Sequence, residues 1–92
     1  MNSIIVNGRR WVDKKYGNTY CSGTVIIDGK VKLYIPFQYG SENHYKEAAL
    51  EVLEKERVIT DRVRKQSLKE YCSERNIILH MEVCDVVRKK DL

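Results

Sequence analysis

Apolar and polar residues alternate on both sides of the dipeptide Asp28-Gly29. An Asp-Gly pair favours a two-residue hairpin turn, because both residues tolerate positive φ. That turn predicts two antiparallel strands in which Tyr20 lies opposite Phe37. Side chains alternate between the two faces of a strand. The predicted core face holds Ile26, Val31, Leu33, Ile35 and Phe37, with Tyr20 at its end. The other face holds Cys21, Val25, Ile27, Lys30, Lys32, Tyr34 and Pro36.

Three further segments have strand character. Residues 3–7 and 9–13 are apolar and aromatic enough for strands, and Gly8 between them permits a bulge or a bend. Residues 13–17 are typical of a turn, so the first part of the chain predicts a meander of three antiparallel strands. Residues 77–87 alternate most clearly and predict a fourth strand.

Two helices are predicted between the third and fourth strands. Tyr45, Ala48, Ala49, Val52 and Leu53 recur at helical spacing. Ser41 is the expected N-cap of this helix, with Glu42 in its first turn. A second helix is expected to begin at Thr60-Asp61 and to end near Asn76, which tolerates the left-handed conformation. Its predicted apolar side holds Val63, Leu68, Tyr71 and Cys72.

These elements predict an α+β fold. We expect a mostly antiparallel four-stranded sheet, with the order βββααβ along the chain and two helices on one face. The 92 residues predict a single domain over 1–92, with a basic tail over 88–92 that frays. No apolar run reaches the length of about 20 residues that crosses a bilayer, so no membrane association is expected. Three cysteines without a Cys-x-x-Cys motif favour a reduced, intracellular protein.

Two Tyr-Gly dipeptides, at residues 16–17 and 39–40, are each followed by small polar residues and a second tyrosine. The predicted hairpin brings both stretches to one edge of the sheet, where they form a candidate partner-binding surface. One interpretation is structural, with glycines in turns and tyrosines half-buried. The other is recognition, because tyrosine gives a large contact area at a small entropic cost. The candidate residues are Tyr16, Asn18, Tyr20, Tyr39, Asn43, His44 and Tyr45.

The net charge of +4 is distributed in blocks of alternating sign. Basic clusters neutralise phosphates, so an alternative hypothesis is a small nucleic-acid-binding regulator. Its surface would combine the exposed side of the second helix with the tail. The candidate residues are Arg62, Arg64, Lys65, Lys69, Arg88, Lys89 and Lys90.

Catalytic and metal chemistry have weak support. His44 and His80 are the only histidines, and together with Cys21 and Cys84 they lack the close spacing of ligand pairs. We therefore predict no catalytic residue, no metal and no cofactor. A small-ligand binder or enzyme, with His44 and the tyrosines in a pocket, stays as a further alternative. An outer hairpin face that carries Val25, Ile27 and Tyr34 predicts a homodimer or a higher oligomer.

Three strings of the sequence carry a resemblance. They are RWVDKKYGNTYCS at residues 10–22, IPFQYG at residues 35–40 and VRKKDL at residues 87–92. With these strings the chain resembles a group of short accessory proteins encoded in bacteriophages and prophages. Cys21 stands where histidine is often found in that group, which weakens any metal or catalytic role at this position. No functional residues carry over from the group.

The resemblance implies a viral accessory gene that is expressed in the cytoplasm of a bacterial host. Small phage proteins of this kind bind and block a host factor, in some cases a defence system. The first hypothesis is therefore a non-enzymatic binding protein that occupies a host protein, with a counter-defence inhibitor as one form of it. The nucleic-acid regulator and the small-ligand binder or enzyme remain the alternatives.

Overall fold

A computed structural model describes residues 1–40 and 43–92. The elements are β1 (Ser3–Val12), β2 (Thr19–Ile27), β3 (Val31–Tyr39), α1 (His44–Lys55), α2 (Leu68–Glu74) and β4 (Ile78–Val86), followed by a 3₁₀ turn (Lys89–Asp91). The α+β class and the four strands are confirmed, as are two helices in the described ranges. The predicted order βββααβ is extended by the 3₁₀ turn. The predicted capping role of Ser41 and Glu42 lies outside the described residues.

The sheet is mixed, and the prediction of a mostly antiparallel sheet is wrong. The strand order is β3-β2-β1-β4. β1 pairs with β2 and β2 with β3 in antiparallel fashion, as the predicted meander requires. β4 pairs with β1 in parallel. The physical reason is the long connection through α1 and α2, because a crossover returns the chain to a strand that runs parallel to its neighbour.

The hairpin turn forms at the predicted place, but its register differs by one residue. Asp28 and Gly29 both have positive φ, of 53° and 68°. Lys30 is an additional turn residue, so that Ile27 lies opposite Val31. Val25 and Ile27 are therefore buried beside Val6 and Ile4 of β1.

Each buried aliphatic side chain contributes about 1.5–3 kcal/mol of stability. Burying Val25 and Ile27 therefore stabilises the sheet more than burying Ile26 alone would. The predicted exposure of Val25 and Ile27 is wrong, and with it the basis that these residues gave to a homodimer. Of that proposed trio, Tyr34 alone is exposed.

A bulge in β3 reverses the direction of the side chains after Ile35. The pairs Gly23–Ile35 and Cys21–Gln38 leave Pro36 and Phe37 together opposite Ser22. Proline lacks an N–H for the ladder and is therefore found at bulges and on edge strands. The bulge moves Phe37 from its predicted core position to the opposite, exposed face of the sheet.

Gly8 is required for close packing and not for a bend. β1 runs unbroken through Gly8, which pairs with Gly23 of β2. A Cβ atom at Gly8 would lie 2.6 Å from Cδ2 of Tyr45 in α1. The predicted break between residues 3–7 and 9–13 is therefore wrong, and the glycine lets the Tyr45 ring lie directly on the strand.

α2 begins later than predicted. Ser67 is its N-cap and forms a capping box with Glu70, which satisfies free N–H groups of the first turn. No helix begins at Thr60-Asp61. The Asp61 carboxylate instead accepts a hydrogen bond from the Tyr71 hydroxyl. Val63 is 62% exposed and contributes nothing to an apolar helix side. The helix end is confirmed, since Asn76 has φ of 55° directly after the C-cap.

The helices cover one face of the sheet, and the core lies between them and the strands. We call the other side of the sheet the outer face. The fully buried side chains include Ile4, Val6, Val25, Leu53 and Ile59. Within residues 1–40 and 43–92, no helix combines the length and the hydropathy that crossing a bilayer requires.

Candidate interaction surface

Four aromatic side chains lie together at one end of the outer face, and we call them the aromatic row: Trp11, Tyr20, Phe37 and Tyr39. The ring centres of Trp11 and Tyr20 are 5.7 Å apart, and those of Tyr20 and Phe37 are 5.1 Å apart with an interplanar angle of 11°. Tyr39 meets Tyr20 edge-on at 5.7 Å. Phe37 is 47% exposed and Tyr39 is 66% exposed. Three adjacent strands therefore form one aromatic surface, which is half-buried at Trp11 and Tyr20 and exposed at Phe37 and Tyr39.

The rings of the aromatic row stack on one another and stand side by side. Because β2 lies between β1 and β3, Tyr20 has Trp11 on one side and Phe37 on the other. Both faces of the Tyr20 ring are therefore covered. A nucleobase that stacks on a protein needs a free ring face. Tyr20 therefore has no free face, and the exposed Phe37 and Tyr39 rings add apolar surface and a hydroxyl group, which suit the mixed polar and apolar surface of a protein.

Lysines accompany the aromatic residues. The ammonium groups of Lys15, Lys32 and Lys89 lie 5.2, 5.5 and 5.3 Å from the ring centres of Tyr16, Tyr34 and Phe37, respectively. Exposed contacts of this kind are individually weak, at about 0.5–1 kcal/mol. Of these three rings, Phe37 belongs to the aromatic row, so Lys89 adds positive charge to the row itself, whereas Lys32 pairs with Ile26 nearer the hairpin turn.

The C-terminal tail reaches the outer face. Lys89 lies over Phe37, and Nη1 of Arg9 donates a hydrogen bond of 3.4 Å to the carbonyl oxygen of Asp91. Arg88 lies 3.5 Å from Asp91 within the tail. The predicted fraying of residues 88–92 stays a prediction, and these contacts show where the tail lies when it is folded back.

The structure brings together only part of the predicted Tyr-Gly cluster. Tyr20 and Tyr39 are in contact, as the aromatic row requires. Tyr16 is exposed in the turn before β2, and the Asn18 carbonyl accepts the Asp13 N–H within that turn. Asn43 is the N-cap of α1, but its side chain makes no capping hydrogen bond.

His44 and Tyr45 lie on the helix side of the sheet and not with the aromatic row. Nε2 of His44 is 2.8 Å from Oε1 of Gln38. The Tyr45 side chain is 4% exposed and packs on Gly8, and its burial raises the pKa of the hydroxyl. Tyr45 is therefore a core residue, and the predicted convergence does not include it.

Two members of the aromatic row are absent from the predicted set. Trp11 follows Ile5, Asn7 and Arg9 on the outer face of β1, which alternation places opposite the buried Ile4 and Val6. Phe37 reaches the outer face through the bulge at Pro36. The sequence does indicate that both residues lie on the outer face. Strict alternation through Gly8 places Trp11 there, and Pro36 inside a strand indicates the bulge that moves Phe37 there.

The predicted basic cluster does not lie along one helix. Arg62, Arg64 and Lys65 precede α2, and only Lys69 lies within it. Arg62 is 3.0 Å from Glu54 and also donates to the carbonyl oxygen of Gln66. The tail residue Lys89 contacts the outer face, away from the helices. The prediction that Arg62, Arg64 and Lys65 lie on the second helix is therefore wrong, because α2 begins after them.

The sulfur and imidazole groups are dispersed. Cys21 and Cys72 are each 1% exposed, and burial raises the pKa of both thiols, whereas Cys84 is exposed. His80 is exposed on β4 and contacts Glu82. Within residues 1–40 and 43–92, no group of three or more His, Cys, Asp or Glu side chains has the arrangement of a metal site.

Comparison with known proteins adds no further constraint. None of the protein-family models, curated proteins or solved structures compared with the chain matches it. The function is therefore argued from the geometry of the outer face.

Proposed function

We propose that this chain is a non-enzymatic binding protein that occupies a partner protein through the aromatic row. The observation that carries the proposal is the stack of Trp11, Tyr20 and the exposed Phe37, with the exposed Tyr39 against its side. Tyrosine and tryptophan contribute strongly at protein interfaces, because a rigid ring buries a large area and keeps a polar group for hydrogen bonding. The stack holds its members in place before binding, which lowers the entropic cost of association.

The partner in this proposal is a bacterial host protein. The resemblance to phage and prophage accessory proteins supports that assignment. Stoichiometric occupation would block the partner's own contacts, and inhibition of a host defence system is one form of such blocking. The proposal places the chain in the bacterial cytoplasm.

Nucleic-acid binding is the second candidate, on the outer face and not on α2. The observation in its favour is Lys89 over the exposed Phe37 ring, with Lys15 and Lys32 beside the exposed rings of Tyr16 and Tyr34. Phosphate contacts from these lysines would give an affinity that falls steeply with salt. The covered faces of Tyr20 make this candidate weaker than protein binding.

Affinity capture from a bacterial lysate tests the proposal. The tagged protein and the variants Tyr20→Ala, Tyr39→Ala and Ile78→Ala are compared, with and without nuclease treatment. Ile78 is the matched control, because it is an apolar side chain, 72% exposed, at the far end of β4. We expect one partner to be retained at a stoichiometric level by the wild type and by Ile78→Ala.

The same partner should be lost from Tyr20→Ala and Tyr39→Ala, and nuclease should change nothing. Tyr39 is largely exposed, so its substitution is expected to leave the fold intact, which far-ultraviolet circular dichroism verifies. Equal retention by all four proteins would overturn the proposed surface. Release of the bound material by nuclease would favour the second candidate instead.

A further inference from the structure

The helix layer leaves part of the sheet open beside β4. α2 is only seven residues long. Leu50, Leu79 and Met81 stay half-buried where α1, α2 and β4 meet. Two recesses of about 240 Å³ and 370 Å³ open there, and both are lined by Lys46, Lys69 and Met81. Because both recesses border these three residues they adjoin one another, and we call the pair the lysine groove.

The lysine groove has an apolar floor between two cations. Leu50, Leu79 and Met81 form the floor, Lys46 extends from α1, and Lys69 extends from α2. In residues 1–40 and 43–92, no carboxylate lies within ion-pair distance of either lysine. The groove therefore combines uncovered apolar surface with positive charge that the described residues do not neutralise.

The acidic residue at the groove is directed elsewhere. Glu47 is the one carboxylate among the described lining residues, and its Oε2 atom lies 3.7 Å from Nδ1 of His44. A ligand with an apolar part and a negative head would cover the floor and approach both ammonium groups. An apolar cation would gain the same contact with the floor, but it would meet like charge at the rim.

We propose that the lysine groove binds a small amphipathic anion, a free carboxylate attached to an apolar chain of medium length. Burial of the ligand's apolar chain on the floor supplies the affinity, because the floor is half-exposed in the protein without ligand. The carboxylate accepts charge-assisted hydrogen bonds from Lys46 and Lys69, which supplies the selectivity for a negative head. The groove lies on the helix side of the sheet and the aromatic row lies on the other, so this proposal stands independently of the proposed function.

Nuclear magnetic resonance titration of the whole chain tests this site. Decanoate, decanol and decyltrimethylammonium are each added below the concentration at which they aggregate. The three ligands share the same ten-carbon chain and differ in the charge of the head group. Decanoate should shift the backbone amide signals of Leu50, Lys69 and Met81 in a saturable way. Decanol should bind more weakly, and decyltrimethylammonium should bind most weakly of the three.

Paired glutamine variants separate the site from general charge effects. Lys46→Gln with Lys69→Gln should weaken decanoate binding by roughly fivefold or more, as two exposed charge contacts are lost. Lys14→Gln with Lys15→Gln removes the same net charge from the exposed turn before β2 and should leave the affinity unchanged. Three outcomes would each overturn the proposal. They are equal affinity for all three ligands, equal decanoate affinity of the two double variants, and amide signal shifts confined to the aromatic row.

Discussion

The rings of Tyr20 and Phe37 lie almost parallel with their centres 5.1 Å apart, although the backbone pairs Tyr20 with Tyr39. The bulge at Pro36 produces this arrangement, because it inserts one residue into β3 and turns Phe37 to the outer face. A side chain expected in the core thereby becomes part of an exposed stack. The proposed binding surface depends on this local irregularity of the strand.

The contact between Gly8 and Tyr45 predicts a strong coupling between these positions. Gly8→Ala should lower the free energy of unfolding by about 1–3 kcal/mol, because the new methyl group would overlap the Tyr45 ring. In a Tyr45→Ala background the same substitution should cost much less. Urea unfolding of the two single variants and the double variant measures this difference. Additive effects would show that the ring does not lie on Gly8.

The capping box at the start of α2 predicts unequal effects of two serine substitutions. Ser67→Ala should lower the free energy of unfolding by about 1 kcal/mol, because the Glu70 N–H loses its acceptor. Ser73→Ala, within the same helix and exposed, is the matched control and should have little effect. Chemical denaturation gives both values. If Ser73→Ala proves the more harmful, α2 does not begin at Ser67.

The Tyr71–Asp61 hydrogen bond predicts a specific acid sensitivity. The Tyr71 hydroxyl, with the charge of Arg75, lowers the pKa of Asp61 below its ordinary value of 3.8. The contribution of Asp61 to stability is therefore present above that value and is lost as the pH falls through the lower pKa of the folded state. Tyr71→Phe removes the largest cause of the shift.

The wild type should consequently lose more stability than Tyr71→Phe when the pH is lowered below about 4. Between this range and the alkaline range in which tyrosine titrates, the two curves of unfolding free energy against pH should run parallel. Urea unfolding at a series of pH values provides the comparison. Parallel curves throughout the acid range would mean that Tyr71 does not bind the Asp61 carboxylate.

The three cysteines predict a two-step pattern of alkylation. Cys84 is exposed, whereas burial encloses Cys21 and Cys72 and raises the pKa of their thiols. The thiolate is the reactive form, so iodoacetamide should add once quickly under native conditions and further only after unfolding. Intact-mass spectrometry counts the adducts. Rapid addition at Cys21 would contradict its place in the core.

Much of the fold follows from patterns in the sequence. Helical spacing identified the buried side of α1, and alternation identified β4, because a single face of each element is apolar. The register of the hairpin did not follow from its turn. Its choice depends on the pairing of Ile4 and Val6 with Ile27 and Val25, and that contact with β1 is not local in the chain.

The candidate binding surface was predictable only in part, again because contacts between distant parts of the chain decide it. The tight reversal at Asp28-Gly29 brought Tyr20 close to the end of β3, so that two tyrosines of the predicted cluster do meet. Nearness to the second Tyr-Gly stretch predicts that Tyr45 joins the cluster, yet the helix turns it to the opposite side of the sheet, onto Gly8. Which face a residue occupies depends on bulges and helix rotation, and nearness in sequence does not settle it.

Site-specific photo-crosslinking in bacterial cells tests most directly whether the aromatic row is the binding surface. Benzoylphenylalanine is placed at Tyr39, which is exposed in the row, or at Glu51, which is exposed on α1 across the sheet. The account predicts a single protein adduct from position 39, resistant to nuclease, and none from position 51. An adduct that forms from position 51 alone, or one that nuclease removes, would contradict it.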